Sequence, residues 1–180
     1  MTAPAPAPAA PLLEVEDLRT HFRTPRGTVQ AVDGVSVSIE RGRTVGIVGE
    51  SGSGKTVLSR SIMGLLTSKE VERTGSVRYE GRELIDAPPG DLRRMWGTEM
   101  AMVFQDPMTS LNPVMRIGQQ LTEGIRHHLG TSKKDATHAA VGMLDRVGIS
   151  DPEHRLRQYP HELSGGMRQR VTIAIALAVG

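Results

Sequence analysis

Eight consecutive residues constrain this chain more than any others. Gly49-Glu50-Ser51-Gly52-Ser53-Gly54-Lys55-Thr56 match the pattern G-x-x-x-x-G-K-[ST] in full. Glycines let the backbone curl so that successive amide N–H groups converge on one anion. Thr44–Gly49, TVGIVG, is a short apolar run without alternation, as expected of a strand covered on both faces. Leu58, Ile62, Leu65 and Leu66 then follow helical spacing, and a helix start adds partial positive charge to the cradle. Strand, glycine loop and helix in that order predict a phosphate-binding loop in an α/β core. Lys55 then reaches the β- and γ-phosphates of a nucleotide, and the Thr56 hydroxyl ligates Mg²⁺. A glycine-rich turn arising by chance would lack this context.

The composition removes other classes. At 180 residues the chain fits one domain with a sizeable core. Its 22 basic and 20 acidic residues leave a net charge of +2, with no basic cluster to predict a nucleic-acid partner. The absence of cysteine excludes disulfides and thiolate metal sites. The start, MTAPAPAPAAP, has neither the basic nor the apolar stretch of a signal peptide, and reads as an extended tail over residues 1–11. The most apolar run, Val171–Gly180, is far below the ~20 residues that span a bilayer, so the chain reads as soluble.

Period-two alternation of Val35, Val37 and Ile39 after an Asp33-Gly34 turn signal predicts a strand. Ser76–Leu84 reads as a hairpin turning at Glu80-Gly81, and Met100–Gln105 as a second buried strand. MRIGQQLTEGIRHHLG and KKDATHAAVGMLDRVG both read as helices, the second with Val141, Leu144 and Val147 on one stripe. His127 and His128 read as solvated rather than metal-ligating. Trp96 reads as a packing residue of an antiparallel subdomain.

A second glycine-headed helix begins at LSGGMRQR, Leu163–Arg170. Alone it is a helix start with Ser164 as cap. Its helix is apolar nearly all round and so is expected to be buried. Gln105 closes the second strand, where its amide is suited to Mg²⁺ or to a nucleophilic water.

In this order GESGSGKT, VFQDPMTSLNP and YPHELSGGMRQR resemble the nucleotide-binding subunit of ABC transporters. VGESGSGKT, SIMGLL, FQDPMTSLNPVMRIG and YPHELSGGMRQR are most similar to the ATPases of dipeptide, oligopeptide and nickel importers. The resemblance runs from Leu12 to the last residue. It implies an ABC-type P-loop cassette in the α/β class, with a parallel-sheet core, an antiparallel β subdomain and a helical subdomain. The core and β subdomain are expected over 12–105, the helical subdomain over 106–163, and the signature motif with its helix over 164–180.

The same resemblance implies ATP and Mg²⁺ as ligands. Gly49 to Thr56 become the phosphate loop, Gln105 the Q-loop glutamine, and Ser164, Gly165 and Gly166 the signature. Lys55 and Gln105 take catalytic roles, and Thr56 and Gln105 hold the metal. Phe22 falls where an aromatic stacks on adenine, and Asp106 onward lines a groove for a membrane subunit. Met167 stands where many members have Gln. Two cassettes would face head to tail, each ATP held by one chain's phosphate loop and the other's signature. Further implied partners are membrane permease subunits and, indirectly, a solute-binding protein. The implied setting is cytoplasmic, peripheral on the inner face of the cell membrane, with ATP driving uptake of peptides or a related small solute.

The family places a strand ending in Asp, a catalytic Glu and a switch His after the signature helix, and these 180 residues hold none of them. The C-terminal part of the core is therefore expected to be missing, as in a chain truncated before that strand. Such a segment is expected to bind nucleotide weakly, hydrolyse essentially none and aggregate readily. The alternatives are a non-transport ABC ATPase or a non-hydrolysing nucleotide-binding module. A repair-type ATPase would carry a long coiled coil between Gln105 and the signature, where only about sixty residues without heptads intervene.

Overall fold

The computed structural model describes residues 10–104 and 110–179. The chain divides into two compact units between Leu92 and Arg93.

In the first unit, strands β1 (Leu13–Thr24) and β2 (Gly27–Ile39) form a long antiparallel hairpin. It turns tightly at Pro25-Arg26, where the Thr24 hydroxyl donates to the Gly27 carbonyl at 2.6 Å. β3 (Val71–Tyr79) pairs with the other edge of β1, and the short β4 (Arg82–Glu83) completes the order β2-β1-β3-β4. The Glu80-Gly81 turn forms as expected, with φ of 49° and 77°, the paired left-handed residues of a tight hairpin.

Two irregularities shape the hairpin. Asp33-Gly34 is a bulge inside β2 rather than a turn before it: Leu18 pairs with Val35 and Thr20 with Val32, leaving an extra residue on β2, with Gly34 at φ 72°. An Asp-Gly pair supplies the left-handed residue that a bulge and a turn both need, so the two look alike in sequence. On β1 the extra residue falls at Glu16-Asp17, where Val15 pairs with Val37, Leu18 with Val35, and Asp17 has φ 45°. That insertion changes side-chain parity, so Leu13, Val15, Leu18 and Thr20 are all buried.

Helix α1 (Lys55–Ile62) buries Leu58, Ser61 and Ile62 and packs on β1 and β2. Leu65 and Leu66 lie beyond its end, because Gly64 takes a left-handed φ of 68° just past the last turn. The apolar run Thr44–Gly49 is not the covered strand its composition predicts. It pairs with no strand among the described residues, and Val48 is 94% exposed. The expected strand at Met100 makes one parallel bridge, to Trp96, and Val103 and Phe104 are exposed. A buried parallel strand exists only through neighbours on both sides. Those neighbours are not among the described residues, so no parallel-sheet core forms among them. Gln105 lies outside the described residues, as do Asp106 and the three residues after it.

α2 (Pro89–Met95) spans the division. The second unit then contains α3 (Ile117–Leu129), α4 (Lys133–Arg146), the short α5 (Pro152–Arg155), a 3₁₀ turn at Pro160–Glu162 and α6 (Gly165–Leu177). One core joins them: Ile117, Leu121 and Ile125 from α3, Ala136, Ala140 and Leu144 from α4, and Val171 and Ala174 from α6. Each large aliphatic side chain buried here stabilises the fold by about 1.5–3 kcal/mol. On α4 Ala136 and Ala140 are fully buried beside Leu144, while Val141 and, just past the helix end, Val147 pack only partly buried against this core. α6 is buried on one face rather than all round, with Leu177 50% exposed. Trp96 belongs to this helical unit and not to the antiparallel one. His127 is exposed and meets His128 edge to face at 5.0 Å. No described helix is long and apolar enough to cross a membrane.

Candidate functional site

The loop Gly49–Thr56 is shaped by its glycines. Gly52 and Gly54 hold φ of 84° and 86°, which L side chains rarely adopt. Gly54 is also the N-cap of α1. A Cβ placed there would stand 2.3 Å from the Ala31 carbonyl oxygen, so the backbone of β2 backs directly onto the loop. Ala31 is itself an extra residue of β2, between the pairs Thr20–Val32 and His21–Gln30. A Cβ on Gly49 would lie 2.8 Å from Ser53 Oγ, whereas one on Gly52 would meet nothing within 4 Å. The loop is tight on its sheet side and open on the other.

Lys55 folds into the ring that these residues make. Its Nζ donates to the Gly49 carbonyl at 2.8 Å, to the Glu50 carbonyl at 2.6 Å and to Ser53 Oγ at 3.1 Å. All three acceptors are neutral, so an anionic oxygen entering the ring offers the ammonium a stronger partner. The first amides of α1 have no acceptor within their own helix and face the same loop end. Beside the ring lies a hollow of about 350 Å³ walled by Asp33, Val35, Val48, Ser53, Lys55 and Leu58 among others. Asp33 would repel a phosphate, but Arg19 donates to its Oδ1 at 2.7 Å and offsets that charge. Arg19 is in turn pushed above its ordinary value by its hydrogen bond to Asp17 and by the charges of Asp17 and Asp33. Thr56 is exposed at the start of α1, free of burial that would keep a cation away. The donor set therefore fits a polyphosphate, and the Thr56 hydroxyl could add an oxygen to a hard cation bound with it. No cluster of three acidic, His or Cys side chains that could hold a metal occurs among the described residues. A cation here would take its oxygens from Thr56 and from the phosphates.

Phe22 stands on β1 within the hairpin. It is half-buried between its cross-strand partners Val29 and Val71, and Val29 is 53% exposed. This gives the sheet an apolar strip with one open side.

The second glycine loop belongs to the helical unit. Ser164 caps α6, accepting from the Met167 amide at 3.3 Å. Arg168 steadies the approach to the cap by donating through Nε to the Pro160 carbonyl at 2.8 Å and the Leu163 carbonyl at 3.0 Å. Gly165 and Gly166 are exposed, lack the left-handed φ of the first loop, and a Cβ on either would meet nothing within 4 Å. The cap is an open, glycine-lined helix start with an anion's choice of amides. Sequence reasoning found both loops through their dense glycine spacing. It missed Ala31, whose role rests on a backbone bulge that leaves no mark in residue type.

Comparison with known proteins adds to this geometry. The profile of the ABC transporter family matches residues 32–180. Over 173 residues the chain is 49% identical to the oligopeptide transport ATP-binding protein OppD of Salmonella typhimurium, covering 96% of this chain and 51% of that protein. A putative peptide import ATP-binding protein of Brucella abortus is 52% identical over 173 residues, covering 93% of this chain and 51% of its own length. The chain thus spans about half the length of the curated relatives it matches. Among solved structures, the dimeric ABC transporter cassette MJ0796 superposes with a TM-score of 0.81 at 23% identity, covering 93% of this chain and 69% of that one, a likeness of fold. The cbiO1 protein of Clostridium perfringens, part of the ABC transporter complex cbiONQ, superposes at 0.70 with 26% identity, over 95% of this chain and 62% of that one.

Proposed function

The chain belongs to the ABC transporter family, and from that premise we propose that it serves as the ATP-binding part of a subunit that couples ATP to uptake of oligopeptides or a related small solute. The observation that carries this reading is Lys55, whose ammonium is held inside the glycine ring by neutral acceptors at the head of α1. The names of the relatives, an oligopeptide transport protein and a peptide import protein, support the solute class.

On this reading the amides of Gly52, Ser53 and Gly54 and the start of α1 bind the β- and γ-phosphates. Lys55 exchanges the Gly49 and Glu50 carbonyls for phosphate oxygens as the nucleotide enters. Phe22 stacks on adenine. Thr56, with Gln105, holds Mg²⁺, which when bound draws negative charge off the phosphate oxygens. Ser164, Gly165 and Gly166 address the γ-phosphate of a nucleotide on a second chain, and two chains close head to tail around two ATP molecules. Permease subunits anchor the pair on the cytoplasmic face of the membrane, and a solute-binding protein feeds them from outside. The residues that activate water follow the signature helix in the family and are not among these 180, so this chain alone binds ATP without turning it over.

Calorimetric titration of the full 180-residue chain with Mg²⁺-ATP tests the reading. Lys55→Ala is expected to weaken binding by roughly ten- to a hundredfold, the loss of one charge-assisted contact. Equal affinity in the two proteins would sink it. Uptake of a labelled oligopeptide by cells whose complete subunit carries Lys55→Ala is expected to fall to background, which checks the solute class separately.

A further inference from the structure

Helix α1 is tied to the sheet at two places about 10 Å apart along its axis, seven residues at 1.5 Å each. The first is the approach of Gly54 to the Ala31 carbonyl at the head of the helix. The second lies in its last turn. There the Ser61 hydroxyl shares a 2.7 Å hydrogen bond with the Thr20 hydroxyl of β1, and both residues are fully buried. Thr20 is the cross-strand partner of Arg73 on β3. Arg73 donates through Nη1 to the Ser61 carbonyl at 2.9 Å and through Nη2 to the Ile85 carbonyl at 3.3 Å. Two strands and the helix therefore converge on one residue of α1.

A buried hydroxyl pair is a costly way to fill this space, since Val and Ala would pack there without desolvating any polar group. What hydrogen bonds add is direction. Apolar contact is non-directional and lets a helix roll on a sheet, whereas a hydroxyl and a carbonyl gripped from two strands fix its rotation. Rotation matters here because Lys55 and Thr56 open the same helix, and rolling it would carry both away from the glycine ring.

We infer that Thr20, Ser61 and Arg73 are positioning residues that set the rotation of α1, and through it where Lys55 and Thr56 meet a bound triphosphate. The inference rests on the nucleotide-binding reading given above. It is tested by titrating Mg²⁺-ATP into the full chain well below the melting temperature of each variant. Thr20→Val and Ser61→Ala are each expected to raise Kd about two- to tenfold, the worth of one neutral hydrogen bond. The double variant is expected to be no weaker than the weaker single, and Thr20→Ser to restore the original affinity. A merely structural pair would lower the melting temperature and leave Kd unchanged, and that result overturns the inference. If Thr20→Val does not fold, Ser61→Ala and Arg73→Lys decide by the same titration, because each leaves the buried volume nearly intact. Lys55→Ala weakening ATP while Ser61→Ala does not removes the positioning role alone. An unmutated chain that ignores ATP removes both.

Discussion

In the first unit Gly54 has φ 86° and no room for a Cβ beside the Ala31 carbonyl, while in the second Gly165 and Gly166 have helical φ and open space around them. The two loops share a composition but not a cause. The chain's own fold demands the first glycine. It makes no such demand for the other pair, and alanine would favour the helix there by up to about 1 kcal/mol per residue. Glycine at a site where the isolated chain has room for a side chain leaves the helix start open to a group from outside the chain. On the proposed function that group is a triphosphate held by a second copy.

The largest expected effect breaks the comparison at its first term. Gly54→Ala forces an L residue into the left-handed region and onto a carbonyl, at a cost of about 2–5 kcal/mol. A urea melt should register that loss and calorimetry should find no ATP binding. An intermediate effect sharpens the second term. Gly165→Ala with Gly166→Ala should leave the chain as stable or up to about 1 kcal/mol per site more so, and leave its affinity for ATP unchanged. Nucleotide-promoted pairing of chains in the complete subunit, read by light scattering, should nevertheless be lost. Alanines that destabilise the isolated chain would show that folding, not a partner, selected these glycines.

The smallest effect concerns acid. Burial alone would raise the Glu83 carboxyl above its ordinary 4.5, but hydrogen bonds from Ser76, Ile85, Val77 and Leu84 outweigh it and the net shift is downward. A carboxyl with a folded value below its unfolded one adds stability that is complete above the unfolded value and lost as pH falls through the folded one. Protection of the Val77, Leu84 and Ile85 amides, taken relative to their intrinsic exchange rate at each pH, should therefore hold steady near about pH 6 and fall toward about pH 3. Glu83→Gln should remove that pH dependence. Unchanged protection down to the lower pH would show that Glu83 does not hold the β3–β4 hairpin.

The parts of this fold legible in the sequence are those written in neighbouring residues. Both glycine loops, the Glu80-Gly81 turn and the helices at Ile117 and Lys133 depend on local spacing. Thr44–Gly49 misleads because an apolar run declares burial but cannot name the strands that would bury it. Asp33-Gly34 misleads because turn and bulge use the same chemistry. Thr20 and Ser61 are separated by 41 positions, and nothing near either residue announces the other. Such pairs become visible only once the strand register is fixed.

The extra residue at Asp17 has a consequence for how this strand can vary over time. Because it shifts the inward rhythm of β1 by one, Val15 and Leu18 both face the interior although three positions separate them. Were β1 a regular strand through this point, Arg19 and His21 would face inward and Leu18 and Thr20 would turn out to water. Loss of the bulge residue itself would leave a regular strand with the same four side chains inward, whereas a residue lost further along β1 would reverse the faces of everything beyond it.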